Sequence, residues 1–319
     1  MLKNYINNLL FKLSNYINRS IDLKNYEDKG LILLAKNLMT SNSWLEKANF
    51  ENPKWIQDKE FRVYSQFGDD GIIQWLINFL GIESKNFIEF GVGNFHESNS
   101  HFLLVNNSWN GFIIDSSKKN ITTIKNSEMY WRYNLRAELA FIDKNNINLL
   151  LELSGFKKLG YLHIDLDGND YWILDTINLK LYEPDILILE YNAVFGNNDE
   201  ISVPYDKNFN RMKAHYSGKY WGASLKAFNF LAEKKDYYFI GCNSAGNNAY
   251  FLNKKFEKLI PKTNIDLGFQ DARYRDSREK NSQNNKIGKL QYLSVKEQRK
   301  QIQGLQVVNV KNNSIYDLK

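Results

Sequence analysis

FIEFGVGN, residues 87–94, runs apolar into Glu89 and then breaks at Gly91 and Gly93; GFIIDSS, residues 111–117, is a second apolar run that closes on Asp115. A strand ending in a glycine turn lets a ligand approach the backbone, because glycine carries no Cβ. An acidic side chain at the end of the next strand, about 20 residues on, is placed to accept both hydroxyls of a ribose. The pair reads as a crossover that binds a nucleoside. The third glycine of the dinucleotide fingerprint is absent, its position being held by His96. The turn therefore suits an adenosine joined to an amino acid better than a pyrophosphate.

Working outward, Asp69 and Asp70 open an apolar-periodic helix over 72–80 that stops at Gly81, as an acidic start and a glycine end dictate. Strands are predicted at 87–91, 112–115, 138–142, 161–165 and 185–190. Helices are predicted at about 97–107, 146–154, 170–178 and 222–233, with a helix or loop reaching 126. Strands at 237–241 and 248–253 are joined only by CNSAGN, too short for a helix, so they pair as an antiparallel hairpin. The rest of the sheet is parallel with right-handed crossovers. The fold class is thus α/β, Rossmann-like, with seven strands and a terminal hairpin. An N-terminal helical extension (1–61) and a polar C-terminal extension (256–319) flank the main domain at 62–255. The C-terminal extension reads either as helix and loop over the sheet edge or as a partly disordered tail.

With 319 residues and 43% hydrophobic content, the chain can bury one large core. A net charge of +6 with no basic–aromatic run gives no nucleic-acid signature. Cys242 is the only cysteine, which excludes an internal disulfide and a cysteine zinc site. No secretory signal is visible and no run approaches the roughly 18 apolar residues of a membrane span; a cytoplasmic protein is expected. Residues 2–18 form an amphipathic stripe through Leu2, Ile6, Leu9, Leu13 and Ile17. It packs on the body or on a second subunit of a homo-oligomer, or, in the alternative, rests on the inner membrane surface through Lys3, Lys12 and Arg19.

Carboxylates gather at strand ends, where open α/β sheets bind ligands. Glu89 is a charge inside an apolar strand, and such burial demands a partner. Asp143 follows the third strand, near where a base would lie. In HIDLDGNDYW (163–172), His163, Asp165 and Asp167 alternate onto one side, while Asp170 reads as a helix cap. Glu190 and Asn192 end the next strand. Asp165, Asp167 and Glu190 together can deprotonate a hydroxyl or hold a divalent metal such as Mg²⁺. His215 is a candidate base by residue type. Tyr205, Tyr216, Tyr220 and Trp221 in the long loop 191–220 offer faces for a sugar.

Taken in order, YSQFGDDGI (64–72), FIEFGVG (87–93), GFIIDSS (111–117), HIDLDGNDYW (163–172), ILEYNA (188–193) and the segment 222–251 resemble the FkbM-like S-adenosylmethionine-dependent methyltransferases over roughly 62–280. The resemblance implies a sheet whose last strand is antiparallel. It implies that Glu89, Gly91 and Gly93 line the cofactor, that Asp115 meets its ribose, and that Ser65, Gln66 and Asp69 sit near its amino-acid end. It also implies hydroxyl acceptors on sugars or polyketides. The chain departs from the family where DLDGND replaces a DVEG-like segment. The expected function is O-methylation of a sugar, glycan or glycan precursor; the alternative is a non-catalytic binding or assembly protein of a surface polysaccharide pathway that keeps the fold.

Overall fold

Short β-branched and aromatic runs make the strands of the sheet: β1 (Asn86–Phe90), β2 (Asn110–Asp115), β3 (Leu135–Leu139), β4 (Tyr161–Ile164) and β5 (Ile186–Glu190). Apart from β3, their near-continuous apolar character is that of strands covered on both faces. The computed structural model describes residues 28–281 and 288–319; the amphipathic segment 2–18 lies outside them. The chain divides into two units, ending and beginning at Glu46 and Lys47. In the first, residues 28–39 are helical and expose Leu31, Leu34 and Leu38, and a helical turn follows at Asn42–Leu45.

In the second unit, β7 (Tyr237–Cys242) and β8 (Asn248–Asn253) complete a seven-stranded sheet in the order β3-β2-β1-β4-β5-β8-β7, where β6 (Ile201–Ser202) lies in another sheet. β1 to β5 pair in parallel, and β8 runs antiparallel to both β5 and β7. This is a Rossmann-like arrangement in which the last strand folds back on β7, as the short CNSAGN link requires, and lies beside β5. One face, through Phe90, Ile114, Leu162 and Leu189, packs on Ile147–Leu153 (α4), Asp170–Thr176 (α5) and Leu225–Lys234 (α6). The other carries Glu89, His163 and Tyr250 toward Asp69–Phe79 (α1) and the start of His101–Asn107 (α2). Lys118–Lys125 (α3) follows β2, with Ser117 accepting from the Asn120 amide.

Two expectations shift. β3 begins at Leu135, not 138: Leu135 and Ala137 are buried while Arg136 is exposed and Glu138 half-buried, so the strand is written in RAEL alternation and the apolar LAFI run lies at and beyond its end. The C-terminal extension is ordered where described. Asp276–Arg278 (β9) pairs with Leu290–Tyr292 (β10), and Val295–Ile302 (α7) opens with a capping box at Ser294 and Glu297. Gln306–Asn309 (β11) pairs with Ile315–Asp317 (β12) and with β6 of the long loop. Loop and tail thereby share a second core of Phe195, Ile201, Val203, Ile302, Val307 and Leu318. Among the described residues no helix is long and apolar enough to cross a membrane.

Candidate active site

At the carboxyl edge of β1 the chain turns through Gly91 and Gly93, with φ of 71° and 56°. A Cβ on Gly91 would stand 1.7 Å from the Asp165 carbonyl oxygen, so the ends of β1 and β4 meet backbone to backbone there. Above Gly93 the space is open. It belongs to a cavity of about 350 Å³ walled by Gly91, Gly93, Asp115, Ile142, Asp165 and Phe209, within the size range of small-molecule sites. Asp115 both caps and faces this cavity. Its Oδ2 accepts the Gly93 amide at 2.9 Å, and its Oδ1 accepts the Ser117 amide at 2.7 Å and Asn120 Nδ2 at 3.2 Å. Asp143 is turned aside: it accepts the Asn145 and Asn146 amides and pairs with Lys207 at 3.1 Å. Although its burial opposes ionisation, these partners hold its carboxyl below the usual range.

A second cavity, about 190 Å³, shares Gly91, Gly93 and Asp165 with the first and adds Gln66, Glu89, His163 and Asn248. Glu89 has its demanded partners. It accepts Ser98 Oγ at 2.6 Å and the amides of Asn99 and Ser100 at 3.1 and 2.9 Å, and it meets His163 Nδ1 at 3.0 Å. Burial works to raise its carboxyl, yet the hydrogen bond and charge of His163 prevail and leave it lowered. The same contact raises His163 against its own burial; the two form an ion pair. His163 Nε2 is buried without a partner.

The YSQFGDD segment is wrapped by its own aspartates. Asp70 Oδ2 accepts the amides of Val63, Tyr64 and Ser65 and the Ser65 hydroxyl, all within 2.9 Å. Burial nevertheless pushes Asp70 up to about 6. Ser65 is fully buried in this clamp, whereas Gln66 projects into the cavities. Asp69 accepts from Asn243, Asn248 and Tyr250, so it fixes a wall of the second cavity from behind.

A third cavity of about 160 Å³ shares Gln66 and Asn247 with the second and is lined by Glu190, Arg211, Lys219, Trp221 and Tyr274. Asp165, Asp167 and Glu190 lie at its junction with the others, each offering an oxygen within 4.8 Å of the rest. Asp170 shapes this junction: it accepts the Leu166 and Gly168 amides at 2.6 and 2.9 Å and holds Asp167 at φ 56°. Asp167 is ion-paired with Arg211, which also lies 5.1 Å from the Trp221 ring centroid. Burial first, and then Asp167 and Asp170, push Glu190 up to about 8; burial, Glu190 and Asp167 push Asp165 far above the carboxylate range. Two adjacent buried negative charges cost more than one, so the pair keeps its protons to a higher pH than free carboxyls do. Glu190 Oε2 is buried without a hydrogen-bond partner.

Asn192 is committed to structure, donating to the Lys219 and Trp221 carbonyls at 2.9 Å. His215 is not brought to the cluster: Ser217 Oγ holds its Nδ1 at 2.8 Å, and its ring packs on Tyr216. Trp221 reaches the cavity, while the Tyr220 hydroxyl is spent on the Gln306 carbonyl. Arg211, Lys219 and Tyr274 carried no signal in the sequence. They stand in no motif, and the ordered tail that presents Tyr274 was not legible.

No family model matches the sequence, and no curated protein matches it. Solved structures similar to the chain include an O-methyltransferase from Bacillus cereus in complex with SAH, 11% identical, covering 71% of this chain and 89% of that one at a TM-score of 0.38. Another is an S-adenosylmethionine-dependent methyltransferase from Clostridium acetobutylicum, 13% identical, covering 58% and 89% at 0.37. A third is the N-terminal domain of EvdMO1 in the presence of SAH and D-fucose, 6% identical, covering 64% and 93% at 0.35.

Proposed function

We propose that this chain is an S-adenosylmethionine-dependent O-methyltransferase of the FkbM-like kind, acting on a hydroxyl of a sugar or glycan precursor. The observation that carries the reading is the carboxyl pair between the cavities: Asp165 walls the two glycine-turn cavities, and Glu190 walls the third with Oε2 unpartnered and its carboxyl at about 8. The residues fit the donor. Gly93 leaves room over the turn, Asp115 edges the larger cavity, and Glu89 with His163 backs the smaller one. When bound, the donor supplies an activated sulfonium methyl group. In its ionised form Glu190 would take the acceptor hydroxyl proton while Asp165 stays protonated. Gly91, Gly93 and Asp115 would hold the donor, whose methyl group would pass to the acceptor oxygen. Little else is needed beyond in-line positioning, for which Trp221 offers an aromatic face and Tyr274 a phenol.

A divalent cation is the second reading of the same cluster, favoured by the three oxygens within 4.8 Å. Asp165, Asp167 and Glu190 would hold it, and it would polarise the acceptor hydroxyl.

Calorimetry with S-adenosylmethionine and S-adenosylhomocysteine tests the donor site. Micromolar binding is expected, weakened at least tenfold in Asp115→Ala; no heat from a folded protein sinks the proposal. Turnover with a panel of glycans, with and without EDTA, separates a proton pair from a metal. Donor binding with no transfer to any hydroxyl compound would support the assembly-protein reading instead.

A further inference from the structure

β3 is the outer strand of the seven-stranded sheet, and no strand among the described residues pairs with its far edge. The Ala140 amide donates to Asp115 and the Asn134 carbonyl accepts from Gly111, both on β2's side. Backbone groups alternate along a strand, so Leu135, Ala137 and Leu139 turn theirs outward. Exposed apolar side chains stand among the polar ones on the segments around this strand. Leu139 and Phe141 are 42% and 50% exposed, Trp131 just before the strand is 72% exposed, and Leu149 and Leu153 stand exposed on α4.

We infer that this edge is the interface with a second copy of the chain, β3 pairing with β3 antiparallel about a two-fold axis at Ala137. The occupant follows from the strand's own sequence. An axis at Ala137 sets Ala137 against itself as a hydrogen-bonded pair, with outward groups facing outward groups. It sets Leu135 against Leu139, where the Leu139 amide meets the Leu135 carbonyl, the Leu135 amide being already given to Tyr133. It sets Arg136 against Glu138 as a non-hydrogen-bonded pair, the kind whose side chains come closest. Both charges lie on the α4 face. Arg136 is fixed there by the Leu153 and Ser154 carbonyls, and Glu138 has no ion pair among the described residues. Edge charges normally deter strand addition. Opposite signs two residues apart instead select a self-pairing antiparallel partner.

Light scattering on the full chain at rising concentration is expected to give the mass of two chains. Glu138→Arg, a change at a half-buried position that sets like charges across the axis, is expected to raise the dimer dissociation constant at least tenfold with circular dichroism unchanged. Ala137→Cys places two thiols about 5.5 Å apart at Cα in a hydrogen-bonded pair, within disulfide range; mild oxidation is expected to cross-link it, while the parent, with only the buried Cys242, stays uncross-linked. A monomer throughout, or a dimer indifferent to Glu138→Arg with no cross-link, overturns the inference. A monomer whose Ala137 and Leu139 amides resist hydrogen exchange would mean that another segment of the chain covers the edge.

Discussion

Glu190 is a carboxyl that folding makes harder to ionise, lifted to about 8 from an ordinary 4.5. Between those values the folded chain holds a proton that the unfolded chain has released. The unfolded state binds fewer protons, so stability falls as pH rises through the window and levels off above it. Glu190→Gln removes this titration. It is expected to leave the melting temperature near that of the parent at pH 5 and to raise it above the parent at pH 8. Scanning calorimetry at both values reads the gap, and a gap that does not widen refutes the assignment. The same change removes the proton acceptor, so methyl transfer should fall by about 10² or more with donor affinity within about twofold. At this scale the sequence is generous. Glu89, Asp115, Asp165 and Glu190, carboxylates within or closing apolar strands, all stand at cavity walls. Ser65 and Asp143 are held in local hydrogen bonds, because short polar side chains near glycines and helix starts also serve the chain around them.

Between elements, the decisive contact is β1's turn against the end of β4. Gly91 lies at φ 71° with the Asp165 carbonyl where a Cβ would go, whereas Gly93 opens onto the cavity. The two glycines should therefore fail differently. Gly91→Ala forces the strand ends apart and is expected to destabilise the fold by on the order of 3 kcal/mol. Gly93→Ala should cost about 1 kcal/mol for its left-handed backbone yet raise the donor dissociation constant at least tenfold. Urea unfolding and calorimetry on the pair check this; equal stability losses would refute it. Elements themselves are legible where periodicity is strong: β8 was placed residue for residue, because a polar turn brackets it on one side and Lys254 on the other. β3 slipped because an edge strand half open to water alternates, while the apolar run beyond it serves the pocket wall.

Across the whole molecule, the third cavity is assembled from sequence-distant parts. β11 pairs with β6, Arg299 reaches the Phe195 carbonyl, and Gln298 donates to the Tyr274 carbonyl at 3.1 Å. No local pattern announces such pairings, since a polar tail and a long loop each lack an apolar period of their own. Together they bury Ile302, Val307 and Leu318, each contributing roughly 1.5–3 kcal/mol. Deleting residues 288–319 is expected to make 196–220 cleavable by protease while donor binding persists. Resistance of that loop after the deletion, followed by mass spectrometry of the fragments, would refute the dependence.

The pairing of β11 with β6 also sets an order of events during synthesis. Every strand of the seven-stranded sheet has been made once Asn253 is joined, so a chain still on the ribosome can close the glycine-turn cavities. The strand that steadies the long loop comes some fifty residues later. A nascent chain would thus pass through an interval in which the glycine-turn cavities are formed but the loop that lines the third cavity is not yet held, and the proposed site would be complete only after translation has reached β11.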